Sequence, residues 1–348
     1  MKTYQYFFKR LLLIPPTLLG ITLICFAISQ FVPGGPVDQM MLQMRGLDSP
    51  GGRTSANTGK ALTEEHRKNI EKHFGFDKPV HVRYINWLKK AIVFDFGDSY
   101  KYPNKTAWQL IKERFPVSLI FGLTGFLLQY IICIPLGISK AIRHNSYFDF
   151  TSSVIIFIGY AIPAFAFGML LKMFFCGVTD GLWDFFPLVG FVSDNFDVMN
   201  SYDKFIDILK HMILPVFCYM IDAFAALTIL MKNSLLDQIS SDYVRTAMAK
   251  GCSFSRAVFN HALRNSLIPI ATGFGSFMTL MFAGSVLIEK VFEIPGMGLL
   301  ALDAITSRDY NVFMGIIVVQ SFLGLIGNIV SDLSYSLIDP QISYSKNT

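Results

Sequence analysis

Three consecutive residues between the first two apolar runs could in principle belong to a nucleotide site. Gly59, Lys60 and Ala61 are similar to the end of a phosphate-binding loop, in which glycines and a lysine cradle the phosphates. Thr54 stands where that motif has its first glycine, and no serine or threonine follows the lysine to reach Mg²⁺. We therefore predict that this chain does not hydrolyse ATP and is not an enzyme.

The same region holds two histidines and two glutamates that could suggest metal chemistry. His66 and His73 are seven residues apart on a predicted helix, with Glu65 and Glu71 beside them. A helical zinc site places its histidines at i and i+4, so a solvated charged face explains these residues better. We predict no metal site and no cofactor in this chain. The cysteines are odd in number, lack metal-ligand spacing and are interpreted as small packing residues: Cys25, Cys133, Cys176, Cys218 and Cys252.

Asp222 is the one acidic or basic residue inside a long apolar run. A charge at that depth is costly and usually faces a water-filled cavity or a polar partner. Two interpretations stay open with equal weight. Asp222 lines a translocation path, or it forms a hydrogen bond, after protonation, to a Ser, Thr or Tyr of a neighbouring helix.

The elements that must carry these residues are membrane helices. Mean hydropathy is +0.45, and charged residues make up 16% of the chain, compared with roughly 25% in soluble domains. Six runs approach the length of about 20 apolar residues that a bilayer requires. We predict an all-α polytopic protein with these spans: Leu11–Val32, Val117–Ser139, Thr151–Leu171, Met212–Met231, Leu267–Ile288 and Val312–Val330. The first run is too long for a signal peptide and no A-x-A-like site follows it, so we interpret it as a retained span.

Charges in the short connections give the orientation. Basic residues precede the first span, follow the second and fill the connection between the fourth and fifth, whereas the opposite short loops are acidic. Because basic loops stay in the cytoplasm, both termini are predicted to be cytoplasmic. The net charge of +5 then reflects topology, and nucleic-acid binding is not expected.

The spans divide the chain into four segments. Residues 1–32 are predicted to be the cytoplasmic N-terminus and first span, and residues 33–116 a small helical periplasmic region. That region combines a flexible polar insertion, Arg45–Thr63, with helices near Glu64–Phe74 and Val80–Phe94. Residues 117–336 form the membrane core, including a cytoplasmic loop at 232–266, and residues 337–348 a cytoplasmic tail.

The cytoplasmic segment from Asp242 to Pro269 reads DYVRTAMAKGCSFSRAVFNHALRNSLIP. Its apolar residues recur at helical spacing on both sides of Gly251, which predicts two short amphipathic helices with a glycine bend. Gly251 is expected to adopt a positive φ or to pack its backbone closely against a partner. Apolar stripes on a cytoplasmic loop suggest that another protein covers them. The residues of the two stripes are Val244, Ala247, Met248, Phe254, Ala257 and Val258.

This segment resembles the "EAA" loop of permease subunits in binding-protein-dependent ABC importers. HFGFDKPVHVRYINWL, FDFGDS, LIKERFPVSL and VFEIPGMGLLALDAITSRDY resemble successive blocks of the oligopeptide/dipeptide permease B family. Within that family, PGGPVDQ, the polar insertion and FIGYAIPAF are most similar to the Yej-type branch. One position departs from the usual TARAKG wording, because Met248 stands where relatives often have arginine. That exchange puts an arginine-specific contact to the ATPase in doubt.

The resemblance implies the type I ABC importer permease fold in a bacterial inner membrane. The implied partners are a second homologous permease, two ATPase subunits or one fused ATPase, and a periplasmic or lipid-anchored binding protein. ATP and Mg²⁺ are bound by the ATPase partners, and the substrate class is short peptides, including conjugates such as microcin C. The residues implied in ATPase coupling are Tyr243, Ala247, Lys250, Gly251 and His261; those implied in outer partner contact are Glu293, Pro295, Gly296 and Gly298.

Two alternatives remain at this stage. A nickel or sugar permease of the same importer class would share the cytoplasmic loop. A secondary transporter would usually show several intramembrane charges or repeated broken helices, and Asp222 is the one such charge here.

Overall fold

The computed structural model describes residues 3–31, 78–177, 183–272 and 285–338. Within these ranges the chain is helical and contains no β-strand, only two isolated bridges. The all-α fold class is therefore confirmed. The helices are α1 (Thr3–Phe31), α2 (Val80–Ala91), α3 (Ala107–Ile142), α4 (Tyr147–Ala161), α5 (Ala164–Phe175), α6 (Ser201–Ile239), α7 (Asp242–Ala249), α8 (Phe254–Ala257), α9 (Leu263–Ser266), α10 (Ile268–Thr272), α11 (Val286–Phe292), α12 (Met297–Thr306) and α13 (Tyr310–Ile338).

Three of the described helices are long and apolar enough to cross a membrane by themselves. These spans are Phe8–Ser29 of α1, the whole of α3, and Tyr310–Asp332 of α13. They coincide with the first, second and sixth predicted spans. The fifth predicted span, Leu267–Ile288, lies largely outside the described residues, as do the predicted helix Glu64–Phe74 and the polar insertion.

The third predicted span is not one continuous helix. α4 and α5 together are apolar enough to span a membrane, but they meet at 95°. Ile162 between them is extended, with φ −97° and ψ 121°, because the ring of Pro163 disfavours the helical conformation of the residue before it. The predicted span Thr151–Leu171 therefore corresponds to a bent pair of helices, and the FIGYAIPAF motif forms its corner.

The fourth predicted span lies inside the 39-residue helix α6. The two parts of α6, Ser201–Ile221 and Ala223–Ile239, differ in direction by 53°. Asp222 thus occupies the point where the helix changes direction. Its side chain lies outside the described residues, so both interpretations of this carboxylate remain open.

The chain divides into two compact units, the first formed by residues 1–12, 114–299 and 322–348. In this unit α3 and α6 lie close together at two points. A Cβ on Gly125 would lie 3.0 Å from Cβ of Tyr219, and a Cβ on Gly137 would lie 2.6 Å from Cβ of Met231. From the first contact to the second, the residue number rises by twelve on both helices, so the two helices run parallel. Glycines allow this close approach between membrane helices.

The second unit consists of residues 13–113 and 300–321. In this unit the carboxylate of Asp309, the residue before α13, accepts several hydrogen bonds. This carboxylate accepts the backbone N–H of Tyr100 at 2.9 Å and of Lys101 at 3.2 Å, and the hydroxyl of Ser99. It also accepts the N–H of Val312 at 3.3 Å at the helix start. Asp309 therefore joins the segment after FDFGDS to the end of the SRDY block.

Candidate coupling interface

The loop that follows α6 folds as two helical segments joined by a glycine turn. Gly251 has a φ of +89°. Its N–H donates to the carbonyl of Met248 at 2.9 Å, and the N–H of Cys252 donates to the carbonyl of Ala247 at 3.1 Å. These two bonds form a Schellman end, in which a left-handed glycine closes the helix. The predicted helices with their glycine bend are confirmed, and Gly251 takes the positive-φ alternative.

One face of this loop is buried by the chain itself. Val244 of α7, Ala257 of α8 and Val258 have no exposed surface, and they pack in a cluster with Met231 and Leu235 of α6. The expectation that another protein covers the whole apolar stripe is wrong for these three residues. Their burial instead fixes the loop to the end of α6, since removing apolar surface from water stabilises the contact.

The opposite face is exposed and mixes aromatic with basic side chains. Phe254 is 46% and Phe259 49% exposed, so the described part of the chain leaves two large aromatic side chains of this loop uncovered. Of the five predicted coupling residues, Tyr243, Lys250, Gly251 and His261 are exposed, and Ala247 is half-buried. The exposed basic residues on the same loop are Arg245, Arg256 and Arg264.

Hydrogen bonds connect the exposed face to α6. The hydroxyl of Tyr243 donates to Oε1 of Gln238 at 2.7 Å and accepts from Nδ2 of Asn265 at 3.2 Å. Ser234 of α6 donates to the carbonyl of Ser266 at 2.8 Å. His261 lies in a π-helical turn, Val258–Ala262, a feature that often marks functional positions in helices. These bonds attach the exposed face of the loop to the end of α6.

A buried ion cluster at the start of α4 was missed by sequence reasoning. Asp149 is 5% exposed and Lys140 1% exposed. Each oxygen of the Asp149 carboxylate accepts a hydrogen bond from Nζ of Lys232 in α6, at 2.8 and 2.7 Å. The carboxylate also lies 3.2 Å from Nζ of Lys140 in α3. Lys140 also donates to Ser152 and Ser153 at 2.7 Å each. The cluster joins the ends of three helices. In the sequence, Lys140 and Lys232 are simply two of the basic residues that indicate the orientation of the spans.

A second buried group surrounds Glu289 of α11. Its Oε1 accepts the hydroxyl of Ser118 at 2.8 Å and lies 3.4 Å from the hydroxyl of Tyr219. Its Oε2 accepts the N–H of Leu299 at 2.7 Å, and Ser118 in turn accepts the N–H of Met297 at 2.7 Å. Burial raises the pKa of Glu289, although these donors oppose the shift. In the sequence, Glu289 is one of the acidic residues of a predicted outer loop, and no pattern around it indicates its burial.

The four residues predicted to contact an outer partner occupy two different environments. Glu293 is exposed and adopts a left-handed backbone, with φ +52°. Pro295 is half-buried, whereas Gly296 and Gly298 are buried. A Cβ on Gly296 would collide with the carboxyl group of Glu289, and a Cβ on Gly298 would lie 2.8 Å from the backbone nitrogen of Val286. The two glycines are thus required for internal packing, and Glu293 is the exposed member of the set.

Several apolar helices with a short two-helix loop fastened to the end of one of them form the arrangement expected of an importer permease subunit. Comparison with known proteins agrees. The chain belongs to the family described as "Binding-protein-dependent transport system inner membrane component", which its residues 133–344 match. It is therefore a multi-pass inner-membrane permease.

Curated relatives are similar over nearly the full length. The chain is 44% identical to the inner membrane ABC transporter permease protein YejB of Escherichia coli O157:H7, covering 97% of this chain and 98% of the relative. It is 40% identical to the peptidoglycan transport system permease protein YejB of Agrobacterium fabrum, with 98% of each covered. It is 34% identical to the oligopeptide transport system permease protein AppB of Bacillus subtilis, with 97% and 99% covered.

Proposed function

We propose that this chain is the membrane-spanning permease subunit of an ATP-driven importer of short peptides. Its relatives carry names for oligopeptide, dipeptide and peptidoglycan transport, and peptide bonds are the chemistry that these substrates share. Peptide conjugates of the microcin C kind fall within the same class. The domain division from the sequence, with residues 33–116 outside and both termini in the cytoplasm, is part of the proposal.

The observation that carries the proposal is the two-sided construction of the loop after α6. Val244 and Ala257 are fully buried against α6, whereas Phe254 and Phe259 on the same loop are about half exposed. A surface that is rigidly attached to a membrane helix and still presents aromatic side chains is suited to dock a partner protein. We assign it to a separate ATPase subunit, with Tyr243, Ala247, Lys250, Gly251 and His261 as coupling residues.

Transport then follows from differential contact in two states. ATP and Mg²⁺ are held by two ATPase subunits or one fused ATPase, and closure of these subunits moves the docked loop. The loop moves α6 through Ser234, Tyr243 and their bonds, and α6 moves the ends of α3 and α4 through Lys232 and Asp149. Together with a second homologous permease, these helices alternate between inward and outward access. A periplasmic or lipid-anchored binding protein delivers the peptide, with Glu293 and Pro295 at the outer contact.

Two bent elements also suit a secondary transporter, because such proteins bind substrate at broken helices: the pair α4 and α5, and helix α6, which changes direction at Asp222. A purified chain that moved peptide in vesicles without any ATPase would establish that function. If the chain were instead a nickel or sugar permease, it would still bind an ATPase partner but would not import peptide.

Gly251 provides the test of coupling. Among the described residues, nothing beyond its chain neighbours lies within 4 Å of a Cβ placed on Gly251, so a side chain there costs only about 1–2 kcal/mol through its positive φ. We expect Gly251→Glu to insert in the membrane normally, to bind the ATPase poorly and to lose peptide uptake. Gly251→Asn is the matched control, since asparagine tolerates the left-handed conformation.

The measurements are copurification of the ATPase and ATP-dependent uptake of a labelled tripeptide into proteoliposomes. Partial retention by the Asn variant and loss by the Glu variant support docking at this turn. Full ATPase binding and uptake by Gly251→Glu would contradict the proposed interface.

A further inference from the structure

The outer region contains a helix, α2, that lies against the apolar part of the first span. The hydroxyl of Tyr84 is 3.0 Å from Oγ1 of Thr22 and donates to the carbonyl of Leu19 at 3.2 Å. The ring of Phe26 lies 5.3 Å from that of Tyr84 and 6.2 Å from that of Trp87. These contacts fix the side of α2 that faces α1.

The position of these contacts along α1 sets the depth of α2. The membrane-crossing part of α1 is Phe8–Ser29, so Thr22 and Leu19 lie seven and ten residues before its outer end. At 1.5 Å per residue this is about 10–15 Å inside the end of the span. The Tyr84 side of α2 therefore lies beside the hydrocarbon region and not above the membrane.

On the exposed side of α2, Ile85 lies among the polar residues His81, Asn86, Lys89 and Lys90, and the turn after the helix exposes two large apolar side chains. Ile85 is 48% exposed, and Ile92 and Val93 are each 71% exposed. The turn is well defined: the N–H of Val93 and that of Asp95 both donate to the carbonyl of Lys90 at 3.0 Å. Ile92 and Val93 thus project from a fixed structure. Large apolar side chains that project from a fixed structure next to a membrane span need a covering that is not water.

The rim of this apolar surface decides between lipid and protein as its covering. Lys89 and Lys90 are exposed on one side of the turn. On the other side, the ring of Phe94 stacks on Trp108 at 4.7 Å, and Nζ of Lys112 lies 5.6 Å from the Trp108 ring. Tryptophan and lysine flanking an apolar tip are typical of the membrane interface, where lysines reach the phosphates. Lysine is depleted from protein interfaces.

We propose that α2 and its following turn are an interfacial membrane anchor. Ile85, Ile92 and Val93 enter the acyl region of one leaflet, and Lys89, Lys90 and Lys112 bind the phosphates of its headgroups. The anchor does not depend on the substrate or on the ATPase. The outer leaflet is assigned from the proposed orientation.

The test uses the full chain, copurified with its partners and reconstituted in vesicles of phosphatidylethanolamine and phosphatidylglycerol. Val93→Cys and, separately, Ile92→Cys carry a nitroxide in a background in which the native cysteines are alanine. Pro103→Cys, an exposed site in the polar segment of the same compact unit, is the control. Each site is tested for relaxation by oxygen, which concentrates in acyl chains, and by a water-soluble nickel complex.

We expect oxygen to relax the labels at positions 92 and 93 more strongly than nickel, and the reverse at position 103. Relaxation by nickel at 92 and 93 equal to that at 103 would place the turn in water and overturn the anchor. Protection from both reagents would show that another protein covers it and would overturn the anchor equally. Two adjacent labelled sites guard against one variant failing to fold, and retained copurification of the partners checks assembly.

Discussion

The residue type of Asp222 and its position in α6 both suggest a function inside the membrane, although its side chain lies outside the described residues. It is an acidic residue within an apolar run, and α6 changes direction by 53° at this point. A carboxylate on a path for peptides would attract an N-terminal ammonium or a basic side chain. Tight binding would slow release, so the site is expected to be weak.

We predict that Asp222→Asn lowers the uptake of cationic peptides more than that of neutral ones. The asparagine keeps the size and the hydrogen-bonding ability and removes the charge. The expected difference is about fivefold, the effect of roughly 1 kcal/mol. Uptake of lysine-containing and neutral tripeptides would be compared in proteoliposomes, with subunit assembly as the control.

Asp222→Leu separates the other interpretation. If Asp222 hydrogen-bonds to a neighbouring helix, leucine should weaken assembly as well as transport. Equal uptake of both peptide classes by the asparagine variant, with assembly intact, would exclude a role in the path.

At the scale of elements, the Lys140–Asp149–Lys232 cluster joins α3, α4 and α6. Asp149 is at the first turn of α4, where Ser146 caps the helix by accepting its N–H at 3.3 Å. The short α4 ends at the corner before Pro163. A buried carboxylate with two lysines therefore specifies which end of α4 meets α6.

We predict that Asp149→Asn strongly destabilises the protein, because it leaves two lysine ammonium groups without their counter-charge. Breaking a buried ion pair from one side typically costs about 3–5 kcal/mol. The measurement is the thermal unfolding midpoint in detergent, which should fall clearly. Asp237→Asn makes the same chemical change at an exposed position of α6 and should leave the midpoint nearly unchanged. A similar midpoint for both variants would show that the cluster contributes little.

At the scale of the whole molecule, orientation connects the coupling loop with the ATPase and the outer region with the binding protein. The proposed importer needs residues 242–269 in the cytoplasm and residues 33–116 outside. Only short connections carry this information, since long loops cross the membrane largely regardless of charge.

Single cysteines at Ser55 and Ser253, in a background without the native five, test this orientation. We expect an impermeant thiol reagent to label position 55 in intact cells or spheroplasts and position 253 only after permeabilisation. Ser253 is exposed in the structure, so protection there reports the membrane and not burial. The opposite labelling pattern would reverse the topology and remove the basis for ATPase docking.

The sequence by itself determined the features that depend on local chemistry. Apolar run length identified α1, α3 and α13 as spans, and helical spacing around Gly251 identified the two-segment loop. Such patterns are visible because bilayer thickness and helix period act on neighbouring residues. The family followed from motifs in the same way.

Only the tertiary structure decided which residues meet. The burial of Glu289 beneath Leu299 and the pairing of Asp149 with Lys232, 83 residues away, have no sequence signature. Val244, Ala257 and Val258 of the loop are buried because they pack in one cluster with Met231 and Leu235 of α6. Whether a charge is solvated or paired depends on what the fold brings next to it, and in this chain those partners come from distant helices.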